Sequence, residues 1–248
     1  MYANLKKKFG QNFLIDKNIL NKINSKIKDK EKNILEIGPG NGCLTDFILK
    51  SKPNKLTLIE IDEDLIFILK NKYKEKNISI VHSDFLKDEK ILNQKYDLVV
   101  SNLPYYISSQ ILIKLCLSNN RPKRMILMFQ KEFADRLISK NLNSLNSVIK
   151  CFFEIKKLFL ISKNSFFPIP NVNSAMLEFN KLKDPLLLDN EINGYIDFKR
   201  KIFNKKRKIL KTVIKGYHNF DIPIELLKQR AEALSLEEFI NIFKKINI

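Results

Sequence analysis

Residues 33 to 42 read Asn33-Ile34-Leu35-Glu36-Ile37-Gly38-Pro39-Gly40-Asn41-Gly42. The first five residues form an apolar run typical of a buried strand, and a helical pattern follows at residues 44–49. The glycines between them allow a tight turn and a close approach of a ligand to the backbone. The stretch therefore predicts a strand, a turn and a helix, with a nucleotide-like cofactor at the turn.

Outward from this stretch, short apolar runs alternate with helical patterns. The runs that we interpret as strands are residues 33–37, 56–61, 78–81, 96–100 and 125–129. The helical patterns between them are residues 44–49, 64–71 and 107–117. Because these strands lack a polar face, they predict a parallel, doubly wound sheet that is covered on both sides. The expected fold class is α/β, with a Rossmann-like sheet.

Two further strands, at 157–162 and 175–180, are expected at a sheet edge. Beyond Lys183-Asp184-Pro185 the strand signals stop, and helical patterns occupy residues 196–214, 224–233 and 236–246. The sequence therefore predicts a cofactor-binding domain over residues 1–183 and a small, all-helical C-terminal domain over residues 184–248.

Composition narrows the function classes. No apolar run approaches the roughly 20 residues that a bilayer span needs, and the N-terminus lacks the apolar core of a secretory signal. The three cysteines and two histidines are scattered, which argues against a metal site and against a triad with a histidine base. We therefore expect a cytoplasmic protein with no membrane partner and no metal.

The net charge of +18 predicts a polyanionic partner. The clearest concentration of positive charge lies between residues 199 and 215, which contain no acidic residue. Either a nucleic-acid-binding face or a solvated helix face would account for this run. The candidate RNA-binding residues are Lys199, Arg200, Lys205, Lys206, Arg207, Lys208 and Lys211.

The cofactor signal is a glycine turn followed by an acid. Glu60 ends the second strand 20 residues after Gly40, where a carboxylate can accept both hydroxyls of a ribose. The spacing from Gly38 is GxGxG rather than GxGxxG, which favours S-adenosylmethionine over NAD. Asp84, after the third strand, could accept from the adenine amine of that cofactor. Taken alone, the glycines could form only a strand-helix turn, and Asp84 could be only a helix cap.

A second signal follows the fourth strand, at Asn102-Leu103-Pro104-Tyr105. Proline fixes its own backbone and disfavours helix for Leu103, so the turn can aim the Asn102 side-chain oxygen and a backbone carbonyl at one exocyclic amine. Tyr105 offers a flat face for stacking a base, an interaction worth about 1–3 kcal/mol. The implied substrate is adenine or cytosine, and the alternative for a lone tetrapeptide is an ordinary turn.

Together with these motifs, further segments resemble the ribosomal RNA small-subunit adenine N6-dimethyltransferase family. The segments are residues 8–14, 36–42, 102–105, 130–132, 166–175, 203–211 and 230–239. The resemblance covers nearly the whole chain and implies a class I methyltransferase sheet. It implies that S-adenosylmethionine binds to residues Asn12, Leu14, Gly38, Gly40, Glu60, Asp84 and Asn102.

The same resemblance implies the substrate, namely two adjacent adenines in a loop near the 3′ end of small-subunit ribosomal RNA. Catalysis would use Asn102, Leu103, Pro104 and Tyr105, with Phe166 stacking on the base opposite Tyr105; for Phe166 alone a core position is the alternative. The partner would be a 30S-type particle, the enzyme a monomer, and a role in subunit biogenesis a hypothesis. Two places depart from the family pattern, Tyr106-Ile107-Ser108-Ser109 and Asn143-Ser144.

Three other interpretations remain open. Large-subunit (23S) rRNA methyltransferases of the resistance type share the NxPY turn, although residues 230–239 favour the small-subunit branch. A non-catalytic ribosome-assembly or transcription factor could retain the fold, although the intact glycine turn, Glu60 and Asn102 argue against it. An NAD-linked dehydrogenase is disfavoured by the GxGxG spacing.

Overall fold

The computed structural model describes residues 11–74, 76–205, 207–215 and 222–246. The chain forms two compact units. The first contains the chain up to Ala134 together with Lys156–Lys181, and the second contains Asp135–Ile155 together with Leu182–Ile248. Residues 135–155 join the second unit because they bond to its later segments, as when Leu182 N–H donates to the Phe152 carbonyl. The sequence-based limits, 1–183 and 184–248, place residues 135–155 in the first domain and not in the second. The assignment of a separate function to each domain stays a prediction.

The strands are β1 Phe13–Leu14, β2 Asn33–Ile37, β3 Lys55–Glu60, β4 Ile78–His82, β5 Leu98–Asn102, β6 Arg124–Gln130, β7 Phe153–Ile161, β8 Phe166–Phe167 and β9 Ser174–Lys181. The α-helices are α1 Lys17–Asn24, α2 Cys43–Ile48, α3 Glu63–Lys72, α4 Ser108–Leu117, α5 Lys131–Ile138, α6 Asn146–Ile149, α7 Ile192–Asn204, α8 Leu210–Val213, α9 Ile224–Leu227 and α10 Leu236–Ile246.

Seven strands form one mixed sheet in the order β4-β3-β2-β5-β6-β9-β7. The first five are parallel neighbours, and β9 runs antiparallel to β6. Strands β2, β5 and β6 are buried along almost their whole length, which explains why their sequences show no polar face. The predicted α/β sheet is confirmed, and the two late strands lie together at one side of it, with β7 at the edge and β9 next to it. A separate antiparallel pair joins β1 to β8.

The predicted helix over residues 196–214 is two helices instead of one. Helix α7 ends at Asn204, and Ile209 adopts an extended backbone before α8 begins. Two physical reasons apply: like charges spaced along one helix repel each other, and Leu210 N–H donates to the Gln229 carbonyl at 2.7 Å. The third predicted helix, 236–246, is confirmed as α10.

The predicted helix over residues 224–233 is also interrupted. It forms the short α9 and a single 3₁₀ turn at Ala231–Ala233, because Arg230 is extended. Aromatic rings of α7 and α10 build the core of this unit, with the Phe198 and Phe239 centroids 5.1 Å apart. None of the helices in the described ranges combines the length and apolar character that a bilayer crossing requires.

Candidate active site

A cavity of about 260 Å³ lies in the first unit, at the carboxyl ends of β2, β3, β4 and β5. Parallel strands bring these ends to one edge of the sheet, which is where open α/β sheets bind ligands. The predicted cofactor-binding residues that line this cavity are Asn12, Leu14, Gly38, Gly40, Glu60, Asp84 and Asn102. Leu103, Pro104 and Tyr105 line the same cavity. The structure therefore brings together residues that are far apart in sequence, such as Asn12 and Asn102, which are separated by 90 positions.

The glycine turn at the end of β2 takes a backbone that favours glycine. Gly38 has φ +63°, and a side chain built there would meet no atom within 4 Å, so its backbone borders open space. At Gly40 (φ +60°) a Cβ would lie 2.7 Å from the Phe13 ring. Gly38 therefore leaves room for a ligand, whereas Gly40 leaves room for the N-terminal segment.

Glu60 is buried and organises the turn. Its Oε1 accepts the N–H groups of Ile61 and Asp62, and its Oε2 accepts the Gly40 N–H at 3.2 Å. Burial raises the pKa of the Glu60 carboxyl, and these three backbone hydrogen bonds partly offset that rise. Oε2, with one donor, retains the larger acceptor capacity toward the cavity. Ribose binding by Glu60 stays a prediction.

Glu36 is a cavity residue to which the sequence assigned no role. It is 1% exposed, and its Oε2 accepts the Thr45 hydroxyl at 2.6 Å, while Oε1 accepts no hydrogen bond from the described residues. Burial, with the nearby charges of Asp46 and Glu60, raises the pKa of Glu36 from 4.5 to about 8. In the sequence, Glu36 could have been recognised as an acidic residue near the end of a buried strand, just before the glycine turn.

This shift predicts the pH dependence of stability. Glu36 has a higher pKa in the folded chain than in the unfolded chain, so it does not lower the free energy of unfolding below pH 4.5. As the pH rises from 4.5 to about 8, ionisation of this carboxyl lowers the free energy of unfolding progressively. Glu36→Gln removes this loss, so the urea midpoint of the variant should rise relative to wild type between about pH 5 and 8. A difference that stays constant across this window would contradict the buried, neutral carboxyl.

Asn102 is fixed by the N-terminal segment. Its Nδ2 donates to the Asn12 carbonyl at 2.9 Å, which turns Oδ1 away from that carbonyl. Within the described part of the chain the Leu103 carbonyl accepts no hydrogen bond. Both oxygens are therefore available as acceptors beside the cavity.

Tyr105 is also held in place. Its hydroxyl shares a 2.6 Å hydrogen bond with Ser174 Oγ, and Ser174 is fully buried at the start of β9. Burial raises the pKa of Tyr105, so this hydroxyl stays protonated. The neighbouring Tyr106, one of the departures from the family pattern, lines the cavity and is 57% exposed. Ser174 lies in the family-like segment 166–175, but no local pattern indicates its contact with Tyr105.

The proposed stacking role of Phe166 stays a prediction, and the structure places this ring in the core. Its ring is 1% exposed and packs in the hydrophobic core with Leu14, to which it is paired across β1 and β8. A fully packed ring has no free face for a base, so the core alternative describes Phe166 in this structure. The adjacent Phe167 is the exposed ring of the pair, at 41%.

Asp84 begins the loop after β4. Its Oδ1 accepts the Leu86 N–H at 2.9 Å, and its carbonyl accepts the N–H groups of Lys87 and Asp88. Asp84 therefore caps a backbone turn and not the helix that the sequence-based alternative named, and its second carboxylate oxygen remains for a ligand. Phe85, buried beside it, lines the cavity and was not foreseen from the sequence.

Most of the predicted RNA-binding residues of the second unit are exposed. Lys199 instead donates to the Ser144 carbonyl at 2.8 Å and to Ser144 Oγ, so it supports one of the loops that depart from the family pattern. Arg200 pairs with Asp197 at 3.2 Å. The exposed remainder of the run is Lys205, Arg207, Lys208 and Lys211. Lys206 lies outside the described residues.

Comparison with known proteins identifies the family to which the chain is similar. The family model "Ribosomal RNA adenine dimethylase" matches residues 2–247. A Mycoplasmopsis pulmonis protein called "Ribosomal RNA small subunit methyltransferase A" is 38% identical over 97% of this chain and 98% of its own length. A protein of the same name from Pelagibacter ubique is 42% identical over 85% of this chain and 83% of its own length.

Two solved structures share the fold across nearly the whole chain. A dimethyladenosine transferase from Plasmodium falciparum superposes with a TM-score of 0.80 at 26% identity, covering 95% of this chain and 98% of that one. The 23S rRNA methyltransferase ErmE superposes with a TM-score of 0.76 at 22% identity, covering 95% of this chain and 100% of that one. The ErmE comparison shows a shared fold alone, whereas the first agrees with the family model.

Proposed function

This chain belongs to the ribosomal RNA adenine dimethylase family, and we propose that it dimethylates N6 of two adjacent adenines in the 3′-terminal loop of small-subunit rRNA. It is an S-adenosylmethionine-dependent rRNA adenine dimethyltransferase on a mixed, seven-stranded class I methyltransferase sheet followed by C-terminal helices. The proposal concerns which adenines are modified, which residues act, and the 30S-type particle as partner.

The chemistry of the cavity fits S-adenosylmethionine. Glu36 Oε1 and Glu60 Oε2 are buried carboxyl oxygens with acceptor capacity, suited to an ammonium group and to ribose hydroxyls. An ammonium beside Glu36 would offset the desolvation that raises its pKa in the free protein. Asp84 retains an acceptor for the adenine amine, and Phe85 offers an apolar wall. When bound, the cofactor supplies an electrophilic methyl group on a sulfonium, so the chain needs no nucleophile of its own.

The observation that carries the mechanism is the pair of acceptors at Asn102 Oδ1 and the Leu103 carbonyl. Adenine N6 is a poor nucleophile because its lone pair is delocalised into the ring. Two acceptors holding its protons favour a tetrahedral nitrogen with an available lone pair. Since these hydrogen bonds strengthen as N6 becomes positive, they stabilise the transition state more than the ground state.

Tyr105 would receive the extruded base. Removing a base from its stack costs a few kcal/mol, and the cost is least for loop adenines that are already poorly paired. The hydrogen bond to Ser174 fixes the ring before the base arrives, so less conformational entropy is lost on stacking. Stacking of Phe166 on the opposite face of the base stays a prediction, since its ring is buried in this structure.

The basic surface of the second unit, which we define as Lys205, Arg207, Lys208 and Lys211, would bind rRNA phosphates. Replacing all four with glutamine should weaken binding of a small-subunit rRNA fragment. The slope of log K against log salt should become shallower by about 0.7–0.9 for each phosphate that the variant no longer neutralises. Filter binding at several salt concentrations measures both quantities.

A matched control separates a specific surface from total charge. Replacing Lys70, Lys74, Lys87 and Lys90, which are exposed in the first unit, removes the same charge and should leave the slope nearly unchanged. If the two variants lose RNA affinity and salt dependence equally, net charge alone, and not this surface, drives RNA binding.

The function itself is tested by methyl transfer. Small-subunit particles that lack the modification are incubated with S-adenosylmethionine, and the digested RNA is examined by mass spectrometry. The expected product is N6,N6-dimethyladenosine at two adjacent loop positions. Modification of isolated 23S rRNA, with none on small-subunit particles, would overturn the proposed substrate. A cytoplasmic location and a monomeric state belong to the same proposal, and size-exclusion chromatography tests the latter.

A further inference from the structure

Helix α4 starts three residues after the acceptor turn, and its Lys114 bonds the loop on the other side of the cavity. Lys114 Nζ lies 2.6 Å from the Phe85 carbonyl, 3.0 Å from the Leu86 carbonyl and 2.7 Å from the Asp88 carbonyl. An ammonium has three donors, so each of its hydrogens has a backbone acceptor. The ammonium also lies 5.2 Å from the Phe85 ring centroid.

These carbonyls are the open end of a single backbone turn. Inside the turn, the Asp84 carbonyl accepts the N–H groups of Lys87 and Asp88, and Asp84 Oδ1 accepts the Leu86 N–H. A turn of this kind leaves its last carbonyls without an internal partner. Lys114 supplies that partner from a different element, in the way that a lysine caps a helix C-terminus.

We propose that Lys114 is a positioning residue for the cofactor, because its ammonium holds the 84–88 turn so that Asp84 and Phe85 meet the adenine end of S-adenosylmethionine. The inference rests on the proposed function, since it assigns Lys114 a role through Asp84. Lys114 itself does not line the cavity, whereas Asp84 and Phe85 do. Its effect should therefore be on recognition of the adenine and only indirectly on methyl transfer.

The same lysine also links the two ends of the site. It sits on α4, whose preceding turn carries Asn102 and Leu103, while its acceptors belong to the loop after β4. Without the ammonium, three half-buried carbonyls would need new partners, and the loop would relax away from its present position. Because Lys114 is half-buried, methionine is the informative substitution, since it keeps an unbranched apolar stem and removes the ammonium.

The test compares two ligands by calorimetry. One is S-adenosylhomocysteine, and the other is its analogue that lacks the 6-amino group of the purine. Their ratio of Kd values measures recognition of the amine. Wild type should prefer the adenosyl ligand by about tenfold or more, and Lys114→Met and Asp84→Ala should each bring the ratio close to one.

Two controls sharpen the test. Lys87→Met removes the same charge from an exposed position on the same turn and should keep the wild-type ratio. The double variant Lys114→Met with Asp84→Ala should lose no more discrimination than either single variant, because both act on one interaction. Lys114→Arg should restore part of the ratio, since it keeps donors but not their geometry.

Several outcomes would overturn the proposal. If Lys114→Met weakens both ligands equally and lowers the thermal midpoint, the lysine is structural only. If its ratio matches wild type, the turn does not depend on it. A wild-type ratio of one would remove the role of Asp84 and the proposal with it, whereas a failure of wild type to bind S-adenosylhomocysteine at all would instead count against the proposed function.

Discussion

Replacing Asn102 with alanine should lower kcat for methyl transfer by about 10²–10³-fold, the usual cost of removing one group that stabilises developing charge. The expected mechanism is loss of the Oδ1 acceptor while the Leu103 carbonyl remains. Because the substitution also removes the bond to the Asn12 carbonyl, S-adenosylmethionine affinity should fall as well, but much less than kcat. Single-turnover transfer of labelled methyl groups and calorimetric binding of the cofactor measure the two effects separately.

Two further variants test whether geometry or mere presence of an acceptor matters. Asn102→Asp keeps an acceptor but places a carboxylate against the Asn12 carbonyl, which cannot donate to it, so the side chain should turn and activity should stay low. Asn18→Ala, at an exposed position of α1, should behave as wild type. Methyl transfer by Asn102→Ala within a factor of about three of wild type would contradict the proposed role of Oδ1.

Replacing Arg124 with methionine should have the largest effect on stability, about 3–5 kcal/mol in the free energy of unfolding. Arg124 is 5% exposed at the start of β6. Its guanidinium donates to both oxygens of Glu31, at 2.9 and 3.0 Å, to Glu178 at 2.7 Å and to the Lys26 carbonyl. Methionine keeps much of the volume but removes the guanidinium charge and its donors from both carboxylates, which leaves Glu31 with the Lys28 N–H and Glu178 with its Asn180 hydrogen bond. Urea unfolding at pH 7 measures the loss.

The neighbouring Lys123 provides the control. It pairs with Asp97 at 2.8 Å, but its side chain is 74% exposed, so Lys123→Met should cost no more than about 1 kcal/mol. The Arg124→Met deficit should shrink when the pH falls to the range in which stranded carboxyls take up protons. Equal losses for the two variants, or a deficit that does not change with pH, would show that the buried charges are not the cause.

Much of the fold could be predicted from local sequence. The buried runs at β2, β5 and β6 follow from their continuous apolar residues, and the glycine turn after β2 follows from Gly38 and Gly40. Once the strands are parallel, chain order alone places Glu60, Asp84 and Asn102 at one edge of the sheet. This is why these three residues could be named from the strand pattern, whereas Asn12 and Leu14 were named from the family resemblance.

Other features depend on contacts between distant segments. Phe166 and Phe167 are adjacent and chemically identical, yet pairing of β8 with β1 buries one and exposes the other. The basic run was expected to act as one face, but Lys199 supports the loop at Ser144 while Lys205 remains exposed. Residues 135–155 join the second unit through backbone hydrogen bonds that no local sequence pattern predicts.

The sequence by itself determined the α/β class, the sheet edge at which the cavity lies and the turn at Asn102, because strand periodicity, glycine conformation and proline geometry are local properties. Only the tertiary structure decided the raised pKa of Glu36, the orientation of Asn102 by Asn12, the burial of Phe166 and the three bonds of Lys114. Desolvation and hydrogen-bond satisfaction depend on which atoms surround a group in space, and the partners of Glu36 and Asn102 lie 9 and 90 residues away along the chain.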